Sequence, residues 1–297
     1  MDFHRIGIVG AGTMGQGIAE ELAGKGYEVL LLDKTPEILE ESRQGIELIL
    51  DRKMEKWAIT EAEKRVAMGR ITLSTQLTDL GDVDFVIETI SEDLDAKKEL
   101  FRTLDQICQK GVIFASNTST LSITEMGAVT YRSDRTIGLH FLNPVSKGVV
   151  EIIRGLKTSE QTFKTAREFV ESIGKTGVEV FESPGFITTR LIMPLLNEAM
   201  YALMEGVASA EGIDTAMRLG YELSRGPLEM ADRMGLDSVL VAMERLFRDF
   251  GDLKFRPCPL LRKLVRADHL GVKTGQGFFK YDEAGNKLSE EKTVGTV

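Results

Sequence analysis

Residues 5–15 read Arg5-Ile6-Gly7-Ile8-Val9-Gly10-Ala11-Gly12-Thr13-Met14-Gly15, an apolar run ending in the spacing G-x-G-x-x-G. A second apolar run, Tyr27 to Leu32, is closed by Asp33, 18 residues beyond Gly15. Glycine-rich turns are common in isolation, but this one follows a strand pattern and opens a helical stretch, Met14 to Gly24, which is the setting a dinucleotide-binding turn requires. The first glycine permits the tight turn, the second lets a pyrophosphate approach the backbone, and the third lets helix and strand pack closely. Free N–H groups at the helix start, with Thr13 and Met14 in its first turn, attract phosphate. The Asp33 carboxylate suits the two ribose hydroxyls of NAD and repels a 2′-phosphate, although Lys34 beside it leaves tolerance of NADP open. The competing reading is a structural turn with a helix-capping aspartate.

Strand, helix, strand within about 30 residues is a βαβ unit, and that implies a parallel sheet with right-handed crossovers. The pattern continues outward. Val83 to Ile87, Val112 to Ala115, Arg135 to Phe141, Val149 to Ile153 and Gly177 to Phe181 are further strand candidates. Helical spacing fills Leu94 to Cys108 and Ser159 to Ile173. Residues 37–70 form a long charged helical segment broken near Trp57 to Thr60, expected to be a projecting hairpin of helices. After Ser183-Pro184-Gly185 the strand signals stop. Ile187, Leu191, Leu195, Ala199 and Leu203 recur at helical spacing with Pro194 bending the helix, and one long run from Leu228 to Phe250 ends at Gly251. The expected organisation is an α/β nucleotide-binding domain over 1–183 and an all-helical domain over 184–297.

The chain has 297 residues, 42% hydrophobic and 28% charged, with a net charge of −9. That length suits two domains, and that charge argues against a general nucleic-acid or anionic-membrane binder. Two cysteines, Cys108 and Cys258, fit neither a disulfide framework nor a zinc site, so a reducing compartment and no metal are expected. No apolar run reaches membrane-spanning length, and a fold that starts almost at Met1 leaves no room for a targeting peptide, so the expected location is cytoplasmic.

Of three histidines, His4 and His269 read as surface residues. His140 stands at the carboxyl end of a strand pattern, where open α/β sheets bind ligands. Glu151 follows 11 residues later, within reach if the two strands are neighbours, and a histidine held by a carboxylate is a suitable general base. Ser116-Asn117-Thr118-Ser119 presents hydroxyls and an amide at the same edge. A packed histidine and a locally bonded turn are the competing readings.

Taken together, Gly10 to Gly15 with Asp33, Ala115 to Ser119, Gly138-Leu139-His140-Phe141-Leu142-Asn143-Pro144, Pro184-Gly185-Phe186-Ile187, Arg225 to Glu229 and Lys273 to Phe279 resemble the 3-hydroxyacyl-CoA dehydrogenase family. The resemblance covers essentially the whole chain. It implies a Rossmann-type domain, a helical dimerising domain and NAD-dependent oxidation of a short L-3-hydroxyacyl-CoA, such as 3-hydroxybutyryl-CoA. By position it implies His140 as base, Glu151 as its partner, Ser119 at the substrate oxygen, and Asn143 at cofactor and substrate. It also implies Glu92, Lys97 and Lys273 at the cofactor and Lys56 at the CoA. Thr189 stands where the family usually has asparagine, Ile49 where a serine is usual, and the segment from Asn143 to Glu151 is one residue short. A relative acting on a CoA-free hydroxy acid or sugar acid is the competing enzyme, and an NAD-binding protein without turnover the competing class. Apolar stripes in 187–204 and 228–250 suit a homodimer, though packing within the chain accounts for them nearly as well.

Overall fold

The computed structural model describes residues 3–142, 145 and 148–288. The chain divides into two compact units, Met1–Phe186 and Ile187–Val297.

The first unit is one eight-stranded sheet in the order β3-β2-β1-β4-β5-β6-β7-β8. Its strands are β1 (Arg5–Val9), β2 (Glu28–Leu32), β3 (Ile71–Ser74), β4 (Phe85–Glu88), β5 (Ile113–Ser116), β6 (Thr136–Phe141), β7 (Val149–Arg154) and β8 (Thr176–Phe181). The central strands are apolar on both faces because helices cover both: α1 (Thr13–Gly24) and α6 (Glu160–Ser172) contribute to one core, and α4 (Leu94–Ile107) and α5 (Ile123–Ala128) to the other. Such double burial is what near-continuous runs like Leu30-Leu31-Leu32 encode. Neighbours from β3 through β6 are parallel. β7 runs antiparallel to β6, as a connection of a few residues dictates, because a parallel return needs a crossover of a dozen or more. β8 then returns parallel to β7 across α6.

The sheet order reverses direction between β1 and β4, so their connections leave on opposite faces and open a crevice beyond their carboxyl ends. Register lines up that edge: Val9 pairs with Leu32 and Glu88, and Glu88 with Ser116. Strand β3 had no counterpart among the expected strands. It is a four-residue edge strand without a fully buried side chain, too short to show a pattern. The charged segment forms α2 (Pro36–Glu55) and α3 (Glu61–Gly69), with the break at 56–60 and a capping box at Thr60 and Glu63. The pair does not stand wholly free, because both helices pack on α1 and bury Leu39, Ile46, Leu50 and Ala67.

The second unit is helical: α7 (Thr188–Met204), α8 (Ala210–Gly220), α9 (Pro227–Met234), α10 (Leu236–Phe250) and α11 (Pro259–Arg266). The single run expected from Leu228 to Phe250 is in fact two helices, broken at Gly235, whose φ of 88° no helix allows. Among the described residues, no helix is long and apolar enough to cross a membrane.

Candidate active site

The glycine turn has the sterics of its assigned roles. Gly10 sits at φ 109°, and a Cβ there would stand 2.6 Å from the Thr89 backbone; a Cβ on Gly15 would stand 1.8 Å from the Gly10 carbonyl oxygen. Side chains are excluded at both positions by the protein itself. A Cβ on Gly12 would meet nothing within 4 Å, so the bare backbone there faces open space. Gly12 is the N-cap of α1, no side chain caps that helix start and no acidic residue occupies its first turn. Its first N–H groups and its positive end are therefore available to an anion. Asp33 closes the turn: its Oδ2 accepts from Ala11 N–H at 2.7 Å and its Oδ1 from Lys34 N–H at 2.7 Å. Thr89 Oγ1 donates to the Gly10 carbonyl at 2.7 Å. An open cradle, a free helix start and an adjacent carboxylate fit a dinucleotide.

Next along the edge lies a buried ionic network whose centre the sequence reading missed. Glu88, the last residue of β4, is fully buried. Its Oε1 accepts from Lys97 Nζ at 2.5 Å and from Ile90 N–H at 2.7 Å, and its Oε2 from Ser116 Oγ at 2.5 Å. Burial pushes the Glu88 carboxyl upward, with Lys97 pulling the other way. Lys97 also lies 3.5 Å from Glu92, and the Glu92 carboxylate accepts from Thr118 Oγ1 at 2.5 Å, Ser119 N–H at 3.2 Å and Thr120 Oγ1 at 3.1 Å. Lys97 is thus buried and engaged with two carboxylates, and Glu92 ties the loop bearing Ser119 to the start of α4. The one available signal was a glutamate ending an apolar run nine residues before a lysine.

His140 and Glu151 face each other directly in the β6–β7 register, which puts both side chains on one face of the sheet. His140 Nδ1 stands 2.6 Å from Glu151 Oε2, and both residues are buried. A carboxylate at Nδ1 accepts a hydrogen bond from Nδ1–H, which keeps that proton on the ring and leaves Nε2 as the basic nitrogen. Beside them, Asn117 Oδ1 accepts from Phe141 N–H at 2.8 Å, which splices the end of β6 to the loop after β5. Phe186 lies against the imidazole with ring centroids 6.0 Å apart. Neither Asn117's splint nor Phe186 had a signal beyond the motifs that contain them.

The other expected site residues lie on separate elements of the two units. Ser119 is half-buried in the loop after β5, and Lys56 is exposed at the end of α2. In the helical unit, Thr189 is buried in the first turn of α7, and Lys273 Nζ donates to Asp237 at 2.6 Å. Asn143 lies outside the described residues. Among the described residues, no group of three His, Cys, Asp or Glu side chains could hold a metal.

Residues 5–183 match the NAD-binding domain of 3-hydroxyacyl-CoA dehydrogenase, and residues 185–281 match its C-terminal domain. The chain is 47% identical to the probable 3-hydroxybutyryl-CoA dehydrogenase of Bacillus subtilis (strain 168), over 95% of this chain and 99% of that protein. It is 43% identical to the 3-hydroxybutyryl-CoA dehydrogenase of Bradyrhizobium diazoefficiens, over 93% of this chain and 95% of the relative. The crystal structure of (S)-3-hydroxybutyryl-CoA dehydrogenase from Ralstonia eutropha superposes with a TM-score of 0.88 at 43% identity, covering 95% of this chain and 100% of that one. With both domain models matched in order along a glycine turn, a buried histidine–glutamate pair and a helical second unit, the chain belongs to the 3-hydroxyacyl-CoA dehydrogenase family.

Proposed function

We propose that the chain catalyses NAD-dependent oxidation of a short L-3-hydroxyacyl-CoA, such as 3-hydroxybutyryl-CoA, to the 3-oxoacyl-CoA, together with the reverse reduction, and that it serves fatty acid metabolism. The observation that carries this reading is the His140–Glu151 pair at 2.6 Å, set on the same sheet edge as the glycine turn and Asp33. Bound NAD supplies a hydride acceptor. An alcohol is a very weak acid, so its C3 hydride leaves readily only as its proton departs, and Nε2 of His140 is the group to take that proton. Glu151 holds the ring and stabilises the imidazolium that forms. The Ser119 hydroxyl, tethered through its backbone to Glu92, bonds the substrate oxygen, and Asn143 assists at cofactor and substrate. Glu92, Lys97 and Lys273 are the remaining cofactor-side candidates, and Lys56 and Thr189 the substrate-side ones.

Two finer features belong to the same reading. Leu191, Val207, Leu219, Tyr221 and Leu253 of the helical unit are strongly exposed, which favours a homodimer formed through that unit. Both cysteines are unpaired and buried, which suits a cytoplasmic location. The deciding assay follows NADH oxidation with acetoacetyl-CoA in wild type and His140→Gln, against free acetoacetate and a panel of keto acids. Turnover with the CoA ester should fall by about 10² to 10⁴ in the variant, while NADH still binds. Near-normal turnover would remove His140 as the base, and activity with the free acids alone would remove the CoA substrate.

A further inference from the structure

The segment Ser183-Pro184-Gly185-Phe186 contains a turn that the proposed function leaves unexplained. Phe186 N–H donates to the Ser183 carbonyl at 2.9 Å, with proline second and Gly185 third at φ 75°. Those are the requirements of a type II turn, so Pro184 and Gly185 are accounted for locally. Phe186 is not. It follows at φ 51°, a second consecutive left-handed residue, and a side chain there is strained. Among the described residues, four non-glycine residues have positive φ; Trp57, Glu222 and Asp268 lie exposed, and Phe186 alone is buried, at 4% exposure. A glycine or asparagine would make the same turn without penalty, so the ring itself accounts for the choice. That ring lies 6.0 Å, centroid to centroid, from His140 at an interplanar angle of 57°, within the range of specific aromatic contact.

We propose that Phe186 is a positioning residue for the reaction: the strained turn presses its ring against His140 and fixes the imidazole plane, so that Nε2 is held on the reacting hydroxyl. Glu151 restrains one nitrogen of the imidazole but leaves the ring free to swing about that hydrogen bond. A flat apolar wall removes this remaining freedom and keeps water off that side. The inference rests on the reading of His140 as the base.

The test compares wild type, Phe186→Gly, Phe186→Leu and His140→Gln. Glycine relaxes the backbone while deleting the ring, and leucine keeps apolar volume without a flat face. With three histidines in the chain, the downfield proton NMR signal of the Nδ1–H bonded to Glu151 is assignable by its loss in His140→Gln. Phe186→Gly should broaden that signal and lower kcat by about tenfold to a hundredfold, while KM for acetoacetyl-CoA and NADH affinity stay within about twofold. Phe186→Leu should fall between the two. If Phe186→Gly does not fold, the leucine variant carries the test. An unchanged signal in the folded variants, whatever their kcat, would overturn the proposal, as would unchanged kcat. Normal turnover in His140→Gln would instead defeat the base assignment, a result read on a different variant and therefore distinguishable.

Discussion

Asp33 holds the glycine turn through both carboxylate oxygens, and in the proposed function the same side chain selects the cofactor. Its two oxygens accept from Ala11 and Lys34 N–H at 2.7 Å each, which aims the carboxylate across the mouth of the glycine turn. Each oxygen retains a lone pair for a ribose hydroxyl, whereas a 2′-phosphate would meet a like charge. Asp33→Ala should weaken NAD by about 1 to 3 kcal/mol, the value of charge-assisted bonds to hydroxyls, while NADP is unaffected or improves. Titration of both cofactors by fluorescence checks this, and equal weakening would mean that the residue only supports the turn. Glu151→Gln should lower kcat less than His140→Gln, because the amide still orients the ring but no longer stabilises its charged form. At this scale the sequence was legible where chemistry and position coincide. His140 and Asp33 each end a strand pattern, and Glu151 follows His140 at a spacing that a short antiparallel return brings opposite. Glu88 was illegible because its value lies in three partners drawn from separate segments.

Between elements, the Glu88–Lys97 pair joins the end of β4 to α4 with side chains 0% and 2% exposed. A carboxylate buried this deeply without a counter-charge is costly, so Lys97→Met should destabilise the first unit by about 3 to 5 kcal/mol. The loss carries a pH signature. Burial already holds the Glu88 carboxyl above the ordinary range, and removing Lys97 raises it further. A carboxyl whose folded pKa exceeds its unfolded one stabilises the fold below the unfolded value and loses that contribution as pH rises through the folded value. The Tm gap between variant and wild type should therefore widen as pH rises and narrow as pH falls. A pH-independent gap would show that the pair contributes packing alone. In the helical unit the corresponding joint is Asp232 on α9, which accepts from Phe278 N–H, Phe279 N–H and Tyr281 O–H at 2.9 Å each. A Cβ on Gly277 would stand 2.0 Å from its carboxylate, so the Gly277-Phe278-Phe279 motif is shaped to this aspartate. Asp232→Asn places an amide donor against these donors and should cost about 1 to 3 kcal/mol, measured by denaturant unfolding. Elements with ten or more periodic residues were readable, whereas β3 was too short and the α9–α10 break hung on the backbone angle of one glycine.

For the molecule as a whole, the proposed substrate is a polyanionic CoA ester, whereas the chain carries a net charge of −9. That makes the local distribution of charge the relevant quantity. Residues 51–70 carry Arg52, Lys53, Lys56, Lys64, Arg65 and Arg70 against Asp51, Glu55, Glu61 and Glu63, a net of +2. The structure sorts these cations. Lys53 pairs with Glu20 at 2.9 Å, Lys64 with Asp51 at 2.5 Å, and Arg70 donates to the Ala23 carbonyl at 3.2 Å. Among the described residues, Arg52, Lys56 and Arg65 have no carboxylate within ion-pair distance and are exposed, so their charge faces solvent. An ordinary solvated helical face has the same pattern, and substitution separates the two. If the phosphates of CoA dock there, Lys56→Glu should raise KM for acetoacetyl-CoA several-fold, by about 1 kcal/mol for a reversed surface charge, and leave NADH affinity intact. Wild-type KM should climb with ionic strength because salt screens exposed charges over about 10 Å at 0.1 M, and the variant's KM should climb less. Equal KM values and parallel salt curves would take Lys56 out of substrate binding and return the hairpin to a structural role.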